Sequence, residues 1–324
     1  MKAIVRTAYG PPDVLKLEEI EKPAPEANQV LIRVHAASVN AADYRPLRGR
    51  PYPVRLMTGG LFKPKDPLTG TDVAGRVEAA GPEVERFRPG DAVFGGAHGA
   101  FAEYTLAREK NLALKPDNRS YEEAAAVPVA GLTVLQGFRH AGGIRAGQQV
   151  LIQGASGGVG SLALQLAKSF GAEVTAVCSP RNLEMARSLG ADRVIDYTRE
   201  DFTKTPERYD LIFAVNGYHP ISAYKRALKP QGIYVCAGGT LPQFLQAMLL
   251  GSRMSEAGGR RLGSMGIAKF NREDMETLAE LLAAGKFVPP IDRIFPLSET
   301  AAAFRYLEET HAQGKVVIAV REEN

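Results

Sequence analysis

The chain has 324 residues, 45% hydrophobic and 23% charged, with a formal net charge of +4 and a pI near 9.0. That is the balance of an ordinary globular protein long enough for two cores, and the absence of a Lys/Arg block argues against a nucleic-acid face. There is no 18-residue apolar span, and Cys178 and Cys236 both lie in apolar runs, which favours core thiols over a disulfide.

Over residues 1–130, short runs such as Lys2-Ala3-Ile4-Val5, Val30-Leu31-Ile32-Arg33-Val34 and Arg76-Val77-Glu78-Ala79 alternate with Pro and Gly. This pattern predicts a β-rich domain of short antiparallel strands, with turns at Pro89-Gly90-Asp91 and at the glycines 95, 96 and 99. From Tyr121 the rhythm changes to an alanine-rich helical stretch broken at Pro128. A second domain is expected over 131–268.

The stretch 149–182 organises that domain. An apolar strand, Val150-Leu151-Ile152, runs into a glycine cluster, and a helix follows with Leu162, Leu164 and Leu166 on it. A second apolar run, 174–177, completes a βαβ unit. Pyrophosphate must approach backbone N–H groups closely, which glycine permits, and the following helix points its positive end at the phosphates. In the register Ala155-Ser156-Gly157-Gly158-Val159-Gly160, Gly157 takes the close-approach position and Gly160 the helix-packing position of a dinucleotide fingerprint. Strands are expected next at 194–196, 210–215, 233–236 and 264–268, with helices at 182–189, 221–228 and 241–250 between them. Such alternation is that of a doubly wound parallel sheet of the Rossmann type. A helix from 273 to 285, another over 298–310 and a strand at 316–320 form a tail too short for its own core. Residues 269–324 are therefore expected to complete the first domain.

Several segments then carry a resemblance: Ser38-Val39-Asn40-Ala41-Ala42-Asp43, Gly70-Thr71-Asp72-Val73-Ala74-Gly75, Pro89-Gly90-Asp91-Ala92-Val93, Phe101-Ala102-Glu103-Tyr104, Leu189-Gly190-Ala191-Asp192 and Gly314-Lys315-Val316-Val317. In this order the chain resembles the medium-chain dehydrogenase/reductase superfamily, and more narrowly its zinc-independent quinone oxidoreductase branch. The resemblance implies a GroES-like β-rich domain plus a Rossmann domain. Zinc-dependent relatives place a cysteine where this chain has Asn40, a His-Glu pair where it has Thr71-Asp72, and a cysteine or carboxylate near Val129. One carboxylate cannot hold Zn²⁺, so no metal is expected.

At the end of the second Rossmann strand an acid would accept from a ribose 2′-OH and repel a 2′-phosphate. Here stand Ser179, Pro180 and Arg181, which favour NADPH; the plain alternative is that Ser179 caps the next helix and Arg181 is solvated. The resemblance adds Tyr197 on the phosphate side, Asn216 on the adenosine side, and Asn40, Thr133 and the Ala237-Gly238-Gly239 backbone at the nicotinamide end. It also implies that Lys315 reaches the cofactor, the alternative being an exposed strand-edge lysine. Tyr52, in Gly49-Arg50-Pro51-Tyr52-Pro53, resembles a substrate-side tyrosine of quinone and enoyl reductases and is the candidate proton donor or stacking residue.

The expected function is zinc-independent, NADPH-dependent hydride transfer to a quinone or related electron-poor carbonyl compound. Reduction of an activated carbon–carbon double bond is the second enzymatic reading. An NADPH-binding redox sensor or structural protein is the non-enzymatic one. The expected partner is a small-molecule acceptor, with no nucleic acid and no membrane, in a cytoplasmic homodimer.

Overall fold

The computed structural model describes residues 1–49, 55, 60–255, 259–309 and 312–321. They fall into two units, Met1–Val129 with Phe270–Ala284 and Pro289–Asn324, and Ala130–Lys269 with Gly285–Val288.

In the first unit β1 (Lys2–Arg6) pairs antiparallel with β2 (Leu15–Glu19). The long β3 (Gln29–Val39) leads into helix α1 (Ala41–Arg48). It then pairs antiparallel with β4 (Asp72–Ala80), which pairs with β5 (Ala92–Gly96). Next, β6 (Tyr104–Arg108) joins β3, and β7 (Leu112–Leu114) joins β5. Val30, Ile32, Val34, Val73, Val77 and Val93 from these strands pack into one buried cluster with Phe101 from the loop before β6. The short α2 (Tyr121–Ala125) starts on a reciprocal cap: Glu123 N donates to Ser120 Oγ at 3.1 Å, and Ser120 N to Glu123 Oε2 at 3.0 Å. Helix α3 (Pro128–His140) follows, its opening proline costing no helical hydrogen bond there.

The second unit is a parallel sheet of β8 (Gln149–Gln153), β9 (Glu173–Cys178), β10 (Arg193–Asp196), β11 (Tyr209–Ala214), β12 (Leu228–Cys236) and β13 (Arg261–Ser264). Among the described residues their order is β10-β9-β8-β11-β12-β13. The sheet reverses its winding between β8 and β11, where such folds bind ligands beyond the strand C-termini. Helices α4 (Gly158–Ser169), α5 (Leu183–Ser188), α6 (Ile221–Ala227) and α7 (Leu241–Met254) connect these strands. The last strand lies earlier than the 264–268 expected: its backbone pairs Ile233 with Arg261 through Cys236 with Ser264, and Gly266 at φ +76° turns the chain away.

Beyond this sheet, α8 (Arg272–Ala283), β14 (Ile291–Pro296), α9 (Thr300–Glu309) and β15 (Lys315–Ala319) follow. Strand β15 lies between β14 and β3, pairing Val316 with Val39 and Ile318 with Ala37. The tail is interrupted at Gly285–Val288, which groups with the second unit because Gln165 Nε2 donates to Val288 O (2.9 Å) and Val288 N to Gln165 Oε1 (3.0 Å). No helix among the described residues is long and apolar enough to cross a membrane.

Candidate cofactor and active site

Two clusters of the expected residues form, one in each unit. In the second unit, the fingerprint turn leaves β8 with Gly154 at φ +80°, its N–H donating to Val177 O at 3.0 Å. A Cβ on Gly160 would stand 2.0 Å from Gly154 O and 2.8 Å from Ala155 Cα, so only glycine lets α4 pack on the strand here. A Cβ on Gly157 would meet nothing nearer than Gly154 O at 3.9 Å. That position needs no glycine for the fold and leaves open backbone at the N-terminus of a twelve-residue helix. Ala155 is buried, while Ser156, Gly158 and Val159 are partly accessible.

The other strand ends assemble around this turn. Asn216 N lies 3.4 Å from Gln153 O, and its Cβ would be 3.1 Å from one on Gly154. Tyr197 N donates to Cys178 O at 3.3 Å, which sets the half-exposed Tyr197 beside the end of β9. Ala237 N donates to Ala214 O at 2.9 Å, and Gly239 bridges Gly217. Thr133 lies half-buried on α3. Ser179 occupies an N-cap position, but its hydroxyl makes no capping bond; its Oγ is buried without a partner among the described residues. The structure therefore does not bear out side-chain capping by Ser179. Arg181 is exposed. Composition had not singled out Asn182, whose buried Nδ2 donates to Ser156 Oγ at 2.7 Å and ties the end of β9 to the fingerprint. Burial pushes the Cys178 thiol up to about 11, which removes the thiolate a redox-sensing cysteine needs.

In the first unit, Asn40 and Lys315 meet. Lys315 is 4% exposed and sits on an inner strand, so the reading of it as an exposed strand-edge lysine is overturned. Its Nζ donates to Asn40 Oδ1 at 2.5 Å and lies 3.3 Å from Asp72 Oδ2. The Asp72 side chain is fully buried. Its Oδ2 also accepts from Ser38 Oγ and Asn40 Nδ2, both at 2.9 Å, and its Oδ1 from Val129 N in the first turn of α3, also at 2.9 Å. Both ends of the Asn40 amide are thereby held in one orientation. A buried anion with four donors fits this site, whereas a metal would have to displace an ammonium to use it. Ser38 and Asp72 were missed as partners. Their signal was a pair of opposite charges, Asp72 and Lys315, each the first residue of a strand whose next residues are apolar.

Asp43 adjoins the cluster. Its Oδ2 accepts from Asn40 N at 2.8 Å and its Oδ1 from Thr71 Oγ1 at 3.1 Å. Burial, then the nearby Asp72 charge, raises its pKa from 3.8 to about 6, against the weaker pull of the Asn40 N–H, Lys315 and Thr71. Arg6 faces it as well. Because the folded carboxyl keeps its proton to about pH 6 and the unfolded one loses it near 3.8, folding takes up a proton in that window. This group's contribution to stability falls as pH rises from about 4 to about 6, by about 3 kcal/mol in all. Asp43→Asn should flatten that part of the urea-stability profile; an unchanged slope would place the titration elsewhere. Tyr52 lies outside the described residues.

Comparison with known proteins agrees with this architecture. Residues 26–117 match the family model described as alcohol dehydrogenase GroES-like domain, and residues 189–318 the model described as zinc-binding dehydrogenase. The chain is 38% identical over 333 residues to the 2-methylene-furan-3-one reductase of Solanum lycopersicum, covering 98% of this chain and 79% of that protein. It is 36% identical over 334 residues to the chloroplastic NADPH-dependent alkenal/one oxidoreductase of Arabidopsis thaliana, with coverage again 98% and 79%. The solved quinone oxidoreductase from Coxiella burnetii superposes with a TM-score of 0.85 at 34% identity, over 99% of each chain.

Proposed function

This chain belongs to the medium-chain dehydrogenase/reductase superfamily, in its quinone-oxidoreductase-like branch, and on that premise we propose that it is an NADPH-dependent oxidoreductase. Its acceptor is a quinone or related electron-poor carbonyl compound. The observation that carries the reading is the phosphate turn ending in Gly160, followed after β9 by a Ser179 hydroxyl without a partner among the described residues and by Arg181, in a stretch, Ser179-Pro180-Arg181-Asn182, whose sequence has no acid. NADPH, when bound, supplies the hydride. The open backbone at Gly157 and the N-terminus of α4 hold its pyrophosphate, and Ser179 and Arg181 hold the 2′-phosphate. Asn216, Thr133 and the 237–239 backbone flank the rest of the cofactor. Asn40, its amide fixed by Asp72 and Lys315, orients the nicotinamide end, and Lys315 acts there through Asn40. Tyr52 supplies the proton or stacks on the acceptor.

The site works without zinc. In support, Asn40 and Thr71 are poor zinc ligands, and both Asp72 oxygens are already occupied by donors. A second reading, reduction of an activated carbon–carbon double bond, is favoured by the names of the two plant relatives. A panel of simple quinones and enones, assayed with NADPH on protein dialysed against a chelator, tests all of this. Turnover of a quinone supports the first reading and turnover of enones alone the second. Turnover of neither removes both, and recovery only on adding Zn²⁺ removes the metal-free site.

Arg181→Ala should raise the KM for NADPH about tenfold or more while leaving that for NADH nearly unchanged, since one charge-assisted contact to the 2′-phosphate is lost. Equal effects on both cofactors would remove the assignment. A cytoplasmic homodimer is part of the proposal. For the dimer, β13 ends its sheet, and α7 beside it exposes Leu245, Met248, Leu249 and Leu250, an apolar patch next to a strand edge. Light scattering at micromolar concentration should give twice the chain mass; a monomer would contradict it.

A further inference from the structure

We propose that Arg6 and Thr69 form an anion-binding subsite that takes a carboxylate carried by the acceptor. Arg6 closes β1, and its side chain is 6% exposed, yet neither Nε nor Nη1 has a partner among the described residues. Thr69 is 8% exposed, and its Oγ1 is likewise buried and unpartnered. The two belong together. Arg6 N donates to Pro67 O at 2.8 Å, and Val5 bridges Leu68 antiparallel, so Arg6 and Thr69 share one face as diagonal neighbours, a spacing a long side chain spans.

The carboxylates in the field of Arg6 are spent elsewhere. Asp66 pairs with His98 and accepts from Leu68 N at 2.9 Å, while Asp43 is held by Asn40 N and Thr71. A guanidinium cannot shed its proton at any ordinary pH, and a buried one without partners is costly. Guanidinium donors beside a free hydroxyl are the donor set a carboxylate's oxygens take, and Asp43 links this position to the Asn40 cluster. Buried, unsatisfied donors of this kind are the mark of a site kept for a ligand at a loss of stability.

Only the word acceptor rests on the reductase reading; binding can be measured without turnover. Wild type and Arg6→Met are titrated calorimetrically with 4-oxopentanoate and with its methyl ester. Wild type should bind the acid about tenfold more tightly than the ester, the factor one charge-assisted hydrogen bond supports, and in Arg6→Met the ratio should fall to about one. Equal binding of acid and ester by wild type, or an acid preference kept in the variant, overturns the subsite. Because Met keeps the length and removes a buried guanidinium whose Nε and Nη1 have no hydrogen-bond partner among the described residues, Arg6→Met should also melt a few degrees higher. A lower melting temperature, or failure to fold, would mean that Arg6 is structurally paired and would overturn the proposal. NADPH oxidation with 4-oxopent-2-enoate is read separately. No turnover alongside a preserved acid preference removes the reductase reading and keeps the subsite.

Discussion

Lys315→Met should cost about 3–5 kcal/mol of stability, because it strips the ammonium from a carboxylate that has no access to water. Asp72 would keep Ser38 Oγ, Asn40 Nδ2 and Val129 N as donors but lose its charge partner, and Asn40 would lose the donor to its Oδ1. Adding Asp72→Asn should return a large part of the loss, since the pair is then removed as a unit. Urea unfolding of the two single variants and the double variant measures this, and a single-variant loss under about 1 kcal/mol would mean that the pair is not the keystone of its unit. The same variant should lower kcat more than it raises KM for the acceptor, as expected when a positioned amide is released rather than a binding contact deleted.

The second large effect separates two glycines that look alike in the sequence. Gly160→Ala drives a Cβ into the Gly154 carbonyl, a backbone atom that cannot swing aside, so α4 must move off β8. The expected loss is at or above the upper end of the about 1–3 kcal/mol usual for overpacking, together with loss of NADPH binding. Gly157→Ala has space and an ordinary φ of −80°, and its melting temperature should stay within a degree or two of wild type. On the proposed cofactor site its NADPH affinity should nevertheless fall about ten- to a hundredfold, because the methyl would stand where the pyrophosphate is proposed to approach. A Gly157→Ala protein that binds NADPH normally would make this turn purely structural.

Much of the second unit could be read from periodicity. Continuous apolar runs such as Val150-Leu151-Ile152 fit only strands covered on both faces, and glycines bracket the helices between them. Strand β13 was misplaced by three residues because Arg261-Leu262-Gly263-Ser264 is short and mixed, and only pairing with β12 selects it. In the first unit, Asn40 and Lys315 were each singled out, but their meeting was hidden. They are 275 residues apart, and the β3–β15 pairing that brings them together is long-range. Orphaned donors are invisible to sequence altogether: Ser179 and Arg6 look like an ordinary cap and an ordinary strand end until their neighbours are known.

The proposed activity is NADPH-dependent reduction at a site built around a lysine–carboxylate pair and without a metal. Steady-state kcat/KM for NADPH and for NADH, with one simple quinone and one enone on chelator-dialysed protein, tests it most directly. Turnover of at least one acceptor is expected, with NADPH preferred about tenfold or more over NADH. Turnover that prefers NADH, or that appears only when Zn²⁺ is restored, would contradict it.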